Sequence, residues 1–204
     1  MMRPFLGSLV AGLALAAGLL APPANAASTC GERATSRPFA AWNDNASYFL
    51  APNGGFEAGS TSWTLGGGAK VVSGNEPFYV NGASDRSSLR IPSGGSAETQ
   101  PFCIDGDEPT VRFFARNTGS VLSQLAVSVT IRTTLLGVTA ETTLPLGAVL
   151  GTTTTWQPSL ATIVGLSANQ LLGGTTTISL RFTPLLFGGA WQVDDVYVDP
   201  FKDW

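Results

Sequence analysis

The sequence predicts an all-β domain, a sandwich or a barrel, and three observations carry that prediction. Apolar and polar residues alternate with period two in several runs, which puts one set of side chains on each face of a strand. Clusters of Gly, Asn, Ser and Pro separate those runs, as tight turns require. Only 12% of the 204 residues are charged, while Thr and Ser crowd segments such as Thr152 to Thr155 and Thr175 to Thr177. A helical protein covers its solvent side with Lys and Glu; a sandwich covers it with β-branched and small polar residues.

Met1 to Ala26 is expected to be a secretory signal. Arg3 supplies the positive start, Phe5 to Ala21 the apolar run, and Ala24-Asn25-Ala26 the small residues of a cleavage site, after Pro22 and Pro23 have ended any helix. No second apolar run reaches spanning length, so the mature chain is expected to be secreted, with no membrane span. Residues 27–46 then form an N-terminal arm and 47–204 the folded domain. Export also decides how the two cysteines read. In an oxidising compartment an even pair with no third candidate most simply closes one disulfide, Cys30 to Cys103, which would staple the arm onto the domain.

Strand patterning is clearest in four runs. Val111, Phe113 and Ala115 oppose Arg112, Phe114 and Arg116; Leu125, Val127, Val129 and Ile131 oppose Ala126, Ser128, Thr130 and Arg132. Ile178, Leu180 and Phe182 oppose Ser179, Arg181 and Thr183, and in the last run Trp191, Val193 and Tyr197 share one side. Turns are expected at Pro52 to Gly55, Gly66 to Gly68, Ser73 to Asn75, Ser93 to Ser96, Gly173-Gly174 and Gly188-Gly189. The one helical signal is Leu166 to Leu172, with Ser167 as a cap and Gly173 as a stop.

Composition excludes whole classes of chemistry. There is no His, so neither a His-dependent triad nor a common zinc site can be assembled. With 11 Lys and Arg against 14 Asp and Glu, a nucleic-acid footprint is not expected. No Gly-x-Ser-x-Gly elbow is present, and the adjacent carboxylates Asp194 and Asp195 diverge if the strand alternates, so the protein is not expected to be an enzyme.

Two end motifs add a resemblance. Asn53-Gly54-Gly55-Phe56-Glu57, with Trp63 shortly after, is similar to the opening of the galactose-binding-like carbohydrate-binding modules of families four, nine and twenty-two, and Trp191-Gln192-Val193-Asp194-Asp195-Val196-Tyr197-Val198 resembles their closing strand. The resemblance implies a two-sheet antiparallel jelly roll whose first and last strands are neighbours. It also implies a structural calcium ion, with Glu57 and Asp194 as carboxylate ligands, which suits a metal that takes six to eight oxygens from carboxylates, carbonyls and water. The acidic turn Asp105 to Glu108 lacks that spacing.

Modules of this kind present aromatic faces to sugar rings. The candidates here are Phe78 and Tyr79 in the loop from Asn75, and the strand face carrying Arg112, Phe114 and Arg116. Phe113 and Phe114 point to opposite faces, so both are buried only if the strand is covered on both sides, and an arm carrying Phe39 and Trp42 can provide that cover. Trp63, Trp156 and Trp191 are expected in the core. Two functions follow as expectations: a secreted, non-catalytic module that binds carbohydrate, or a jelly roll serving as a structural or protein-interaction domain of the cell envelope. An exposed aromatic pair in a groove favours the first, and an aromatic face sealed by the arm favours the second.

Overall fold

A computed structural model describes residues 30–31, 33–104, 110–163, 175–186 and 188–199. The predicted signal, the acidic turn, the helical signal at Leu166 to Leu172 and the turn at Gly173-Gly174 lie outside the described residues. One short 3-10 turn, Ala40–Trp42, sits in the arm. The strands in chain order begin with β1 (Phe49–Leu50), β2 (Trp63–Gly66), β3 (Lys70–Ser73), β4 (Ser87–Ile91), β5 (Ser96–Thr99) and β6 (Phe102–Ile104). They continue with β7 (Thr110–Asn117), β8 (Gln124–Leu135), β9 (Val138–Leu150), β10 (Gln157–Pro158), β11 (Thr162–Ile163), β12 (Thr175–Leu185) and β13 (Trp191–Asp199).

These strands form the two antiparallel sheets of a sandwich. Sheet one runs β10-β7-β13-β4-β3, with β1 on the far end of β13 and β11 on β7; sheet two runs β2-β5-β12-β8-β9, with β6 on β12. The first and last strands are neighbours, Phe49 opposite Val198 and Leu50 opposite Tyr197. Alternation explains the core. Leu89, Ile91, Val111, Phe113, Ala115, Trp191 and Val193 of sheet one face Leu125, Val127, Val129, Ile131, Ile178, Leu180 and Phe182 of sheet two, and all are buried. Trp63 and Trp191 belong to this layer, and the Trp191 indole N–H donates to Ser123 Oγ at 3.0 Å. Thr152 to Thr155 differ from expectation: they form the loop after β9, and no strand runs through them.

One departure from alternation matters for the site. Pairing of β13 with β7 shifts register between Asp194 and Tyr197, and Asp195 has φ +48°. Such a bulge inserts one residue, so the faces swap beyond it. Val196 and Val198 therefore enter the inter-sheet core, while Tyr197 leaves the side of Trp191 and Val193 and joins a separate cluster outside sheet one. The expectation that Tyr197 shares their face is corrected by that single extra residue.

The arm makes the second cluster. A Cys30–Cys103 disulfide ties its start to β6, with the Cα atoms 5.5 Å apart. Further along, Ser36 and Tyr48 exchange backbone hydrogen bonds of 2.9 and 2.8 Å. Phe39, Tyr48, Phe114, Trp156 and Tyr197 are all buried together on the outer side of sheet one.

Candidate functional site

The Asn53 to Glu57 motif is a loop built against the β13 bulge. Asn53, at φ +51°, accepts the Ala58 N–H on Oδ1 and donates from Nδ2 to the Gly59 and Thr61 carbonyls, which folds the loop back on itself. Two contacts hold the loop on the bulge: Val196 N–H donates to the Gly54 carbonyl, and Ala51 N–H to the Val196 carbonyl. A Cβ on Gly54 would lie 2.6 Å from the Val196 oxygen, and one on Gly55 would lie 2.9 Å from Asp195 Oδ1. The backbone approach that the motif makes therefore needs Gly54, while at Gly55 the crowding comes from the Asp195 and Asn81 side chains. Phe56 fills the core against Trp63, ring centres 4.9 Å apart.

Beneath the loop lies a buried acidic cluster. Asp194 accepts the Glu76 N–H at 3.0 Å on one oxygen and the Asp195 N–H at 2.9 Å on the other. Glu76, fully buried, accepts the N–H groups of Phe78 and Val80 and so shapes the loop that carries Phe78. Glu57 accepts the Arg86 and Ser87 N–H groups at the start of β4 on a single oxygen, both at 2.8 Å. Asp195 is different. It is fully buried, and neither carboxylate oxygen has a hydrogen-bond donor among the described residues. Burial raises its pKa to about 8, and the negative charges of Glu76, Asp85 and Glu57 push in the same direction. Asp194 is raised as well, by burial first and by Asp195 second. Asp85, whose Oδ2 is also unpartnered, is raised by burial against the hydrogen bond from Asn81.

Of the two residues expected to hold calcium, Glu57 lies exposed at the rim of this cluster with one oxygen engaged twice, and Asp194 is occupied by two backbone donors. The oxygens without a partner among the described residues are both of Asp195 and one of Asp85, residues that sequence reasoning passed over. Its assumption of strict alternation made Asp195 the diverging member of the pair. Among the described residues no three Asp, Glu, Cys or His side chains converge as a ready-made cage. A cation there would take backbone carbonyls and water beside the carboxylates, as calcium does.

The second element of the site is aromatic. Phe114 is fully buried: Phe39 stacks on it at 5.4 Å, Trp42 meets it edge-on at 5.3 Å, and Phe78 lies 5.7 Å away. Arg112 is buried as well. Its guanidinium lies 4.2 Å over the Phe39 ring, bonds the Ser159 carbonyl through Nε and Nη2, and pairs with Asp44. Asp44 in turn accepts from Tyr48 O–H at 2.7 Å, and although burial opposes it, these hydrogen bonds hold the Asp44 pKa below its ordinary value. Arg112 and Phe114 thus have the arm, not solvent, as their partner. Their expected place in an open sugar platform gives way to the sealed alternative, because Phe39 occupies that face.

What stays open lies at the arm's edge. Phe78 is 45% exposed and Tyr79 51%. Trp42 packs edge-on against Phe78 at 4.8 Å, and the two rings with Arg37, Pro38, Ala41 and Val80 line a groove of about 600 Å³. Arg116 lies on the same strand face as Phe114, half-buried, with its guanidinium 5.1 Å over the Trp156 ring. Sequence reasoning named Trp42 only as cover; that it also walls a groove depends on where the 75–80 loop comes to rest.

No family model matches the chain, and no curated protein matches it. Solved structures do. A family 61 carbohydrate-binding module in complex with β-1,4-galactotriose is 19% identical, with TM-score 0.44 over 74% of this chain and 97% of that one. The CBM22-1–GH10 part of Clostridium thermocellum xylanase 10B, complexed with xylohexaose, is 14% identical, with TM-score 0.49 over 71% of this chain and 27% of that one. A second family 16 carbohydrate-binding module is 11% identical, with TM-score 0.45 over 73% of this chain and 98% of that one. The solved structures similar to this chain thus include carbohydrate-binding modules of families 61, 22 and 16, the kind of module that the two end motifs resemble.

Proposed function

We propose that this protein is an exported, non-catalytic β-sandwich module that binds carbohydrate in the groove between the arm and the 75–80 loop. The observation that carries the reading is the groove wall made by half-buried Trp42 and exposed Phe78, two rings held in place by Phe114 beneath and bordered by Arg37. Pyranose rings have apolar faces and hydroxyl rims, so a fixed aromatic wall beside a guanidinium offers both kinds of contact. Export is supported by the disulfide, which belongs to oxidising compartments. Glycan-array binding followed by titration tests the reading. Trp42→Ala should weaken the best glycan by roughly tenfold, the loss of one stacking face. Retention of no glycan by the folded protein would sink it.

The sealed face under the arm favours a second reading. A sheet whose aromatic residues are used internally serves as a scaffold, and partner binding without glycan binding would support that role.

A structural calcium ion belongs to the same proposal. Asp195 and Asp85 would be its carboxylate ligands, with backbone carbonyls and water completing the shell, and the charge it supplies would neutralise a cluster with few donors among the described residues.

A further inference from the structure

Cations on the two outer faces are treated differently. On sheet two, Arg132 and Arg181 each pair with the residue directly across the ladder, Glu141 at 2.7 Å and Glu98 at 3.1 Å. On sheet one the ladders place four residues in a single row across four strands: Lys70 opposite Arg90, Arg90 opposite Gln192, and Gln192 opposite Arg116. Directly paired residues share a face. Val71, Leu89, Val193 and Ala115, next to them in their strands, all point to the core, so this row faces outward. Lys70 is exposed, and Arg90 and Arg116 are half-buried.

None of these three cations has a carboxylate partner among the described residues. Arg116 is braced instead. Its Nε donates to Gln192 Oε1 at 2.6 Å and its guanidinium carbon lies 5.1 Å from the centre of the Trp156 ring, and both terminal nitrogens are without a partner among the described residues. The one carboxylate on the next row, Asp194, is already held by two N–H groups. In a chain of net charge −3, an outward row of three unpaired cations, one of them braced at fixed orientation, is a charge left for something else.

We infer that the Lys70–Arg90–Arg116 row binds an acidic carbohydrate, a chain bearing repeated carboxylates, and so gives the substrate class of the carbohydrate site proposed above, on which this inference rests. Strands lie about 4.8 Å apart, so the row spans about 14 Å from Lys70 to Arg116. One carboxylate cannot engage cations spread that widely; a chain with anions at intervals can. Arg116 is also two residues along β7 from Phe114, about 7 Å on the same face, so the row continues the surface whose other part is the Trp42 and Phe78 groove.

The test compares polygalacturonate with its fully methyl-esterified form, which keeps the sugar and removes the charge, by affinity electrophoresis and titration. Polygalacturonate should bind at least tenfold more tightly, and its affinity should fall by roughly tenfold between 0.05 and 0.25 M salt, as screening shortens. The double variant R90Q/R116Q should lose that preference while still folded and unfolding in one cooperative transition, and R90K/R116K should keep most of it. Equal binding of both polymers, with R90Q/R116Q affecting neither, overturns the row and leaves the carbohydrate reading standing. A single-stranded oligonucleotide retained as tightly as polygalacturonate also overturns it, since the row would then be unselective. If neither polymer nor any arrayed glycan is retained, both readings fall.

Discussion

Replacing Asp195 by Asn tests the acidic cluster directly. The side chain keeps its size, and Asn tolerates the left-handed backbone that the bulge requires. In the unfolded chain Asp195 ionises near 3.8, whereas in the folded, metal-free protein burial and neighbouring carboxylates raise that value to about 8. A carboxyl whose folded pKa is raised binds more protons folded than unfolded between those values. Stability is therefore full below about pH 4 and declines as pH rises toward 8. At pH 7 the cost is about 4 kcal/mol, from three units of pH at 1.4 kcal/mol each. In chelator at pH 7, Asp195→Asn should therefore raise the unfolding free energy by up to about that amount, and the gain should vanish near pH 4. With calcium present the sign should reverse, because the variant gives up a charged ligand. Chemical denaturation across pH 4 to 8, with chelator and with calcium, measures all three. A chelated variant no more stable than the parent at pH 7, or a gain that persists at pH 4, would refute the claim that Asp195 is a buried charge in need of a proton or a cation.

Two further predictions concern the arm. Replacing both Cys30 and Cys103 by Ala should cost about 4 kcal/mol, the closure entropy of a loop spanning 73 positions, and lower the melting temperature by roughly 8–16 °C. A drop of under 2 °C in a calorimetric scan would refute this and show that the crosslink does little to restrict the unfolded chain. Phe39→Ala should cost about 3–5 kcal/mol as a core truncation, and it also removes the ring beneath the Arg112 guanidinium. Denaturant titration reads the loss, and a red-shifted Trp42 emission should accompany it as the arm loosens; unchanged stability would mean that the sealed face does not hold the arm.

Local pattern was enough for the class of fold. The period-two runs became β7, β8, β12 and β13, and the parity of the cysteines became the Cys30–Cys103 bridge, because side-chain alternation and thiol pairing are written in neighbouring residues and in residue counts. The two end motifs likewise pointed to adjacent first and last strands. What the sequence alone left open was set by contacts between residues far apart in the chain. Whether Phe114 faces a ligand or Phe39 depended on where an arm some seventy residues upstream comes to rest. Whether Asp194 or Asp195 lacks donors depended on a bulge that spoils alternation by one residue and carries Tyr197 across the sheet. The row of Lys70, Arg90, Gln192 and Arg116 comes from four strands, and only their register puts it on one line. Alternation says which residues share a face of one strand; it does not say which strand lies beside it, nor at what offset. Pairing and packing of distant segments decide that, and here they decide the site.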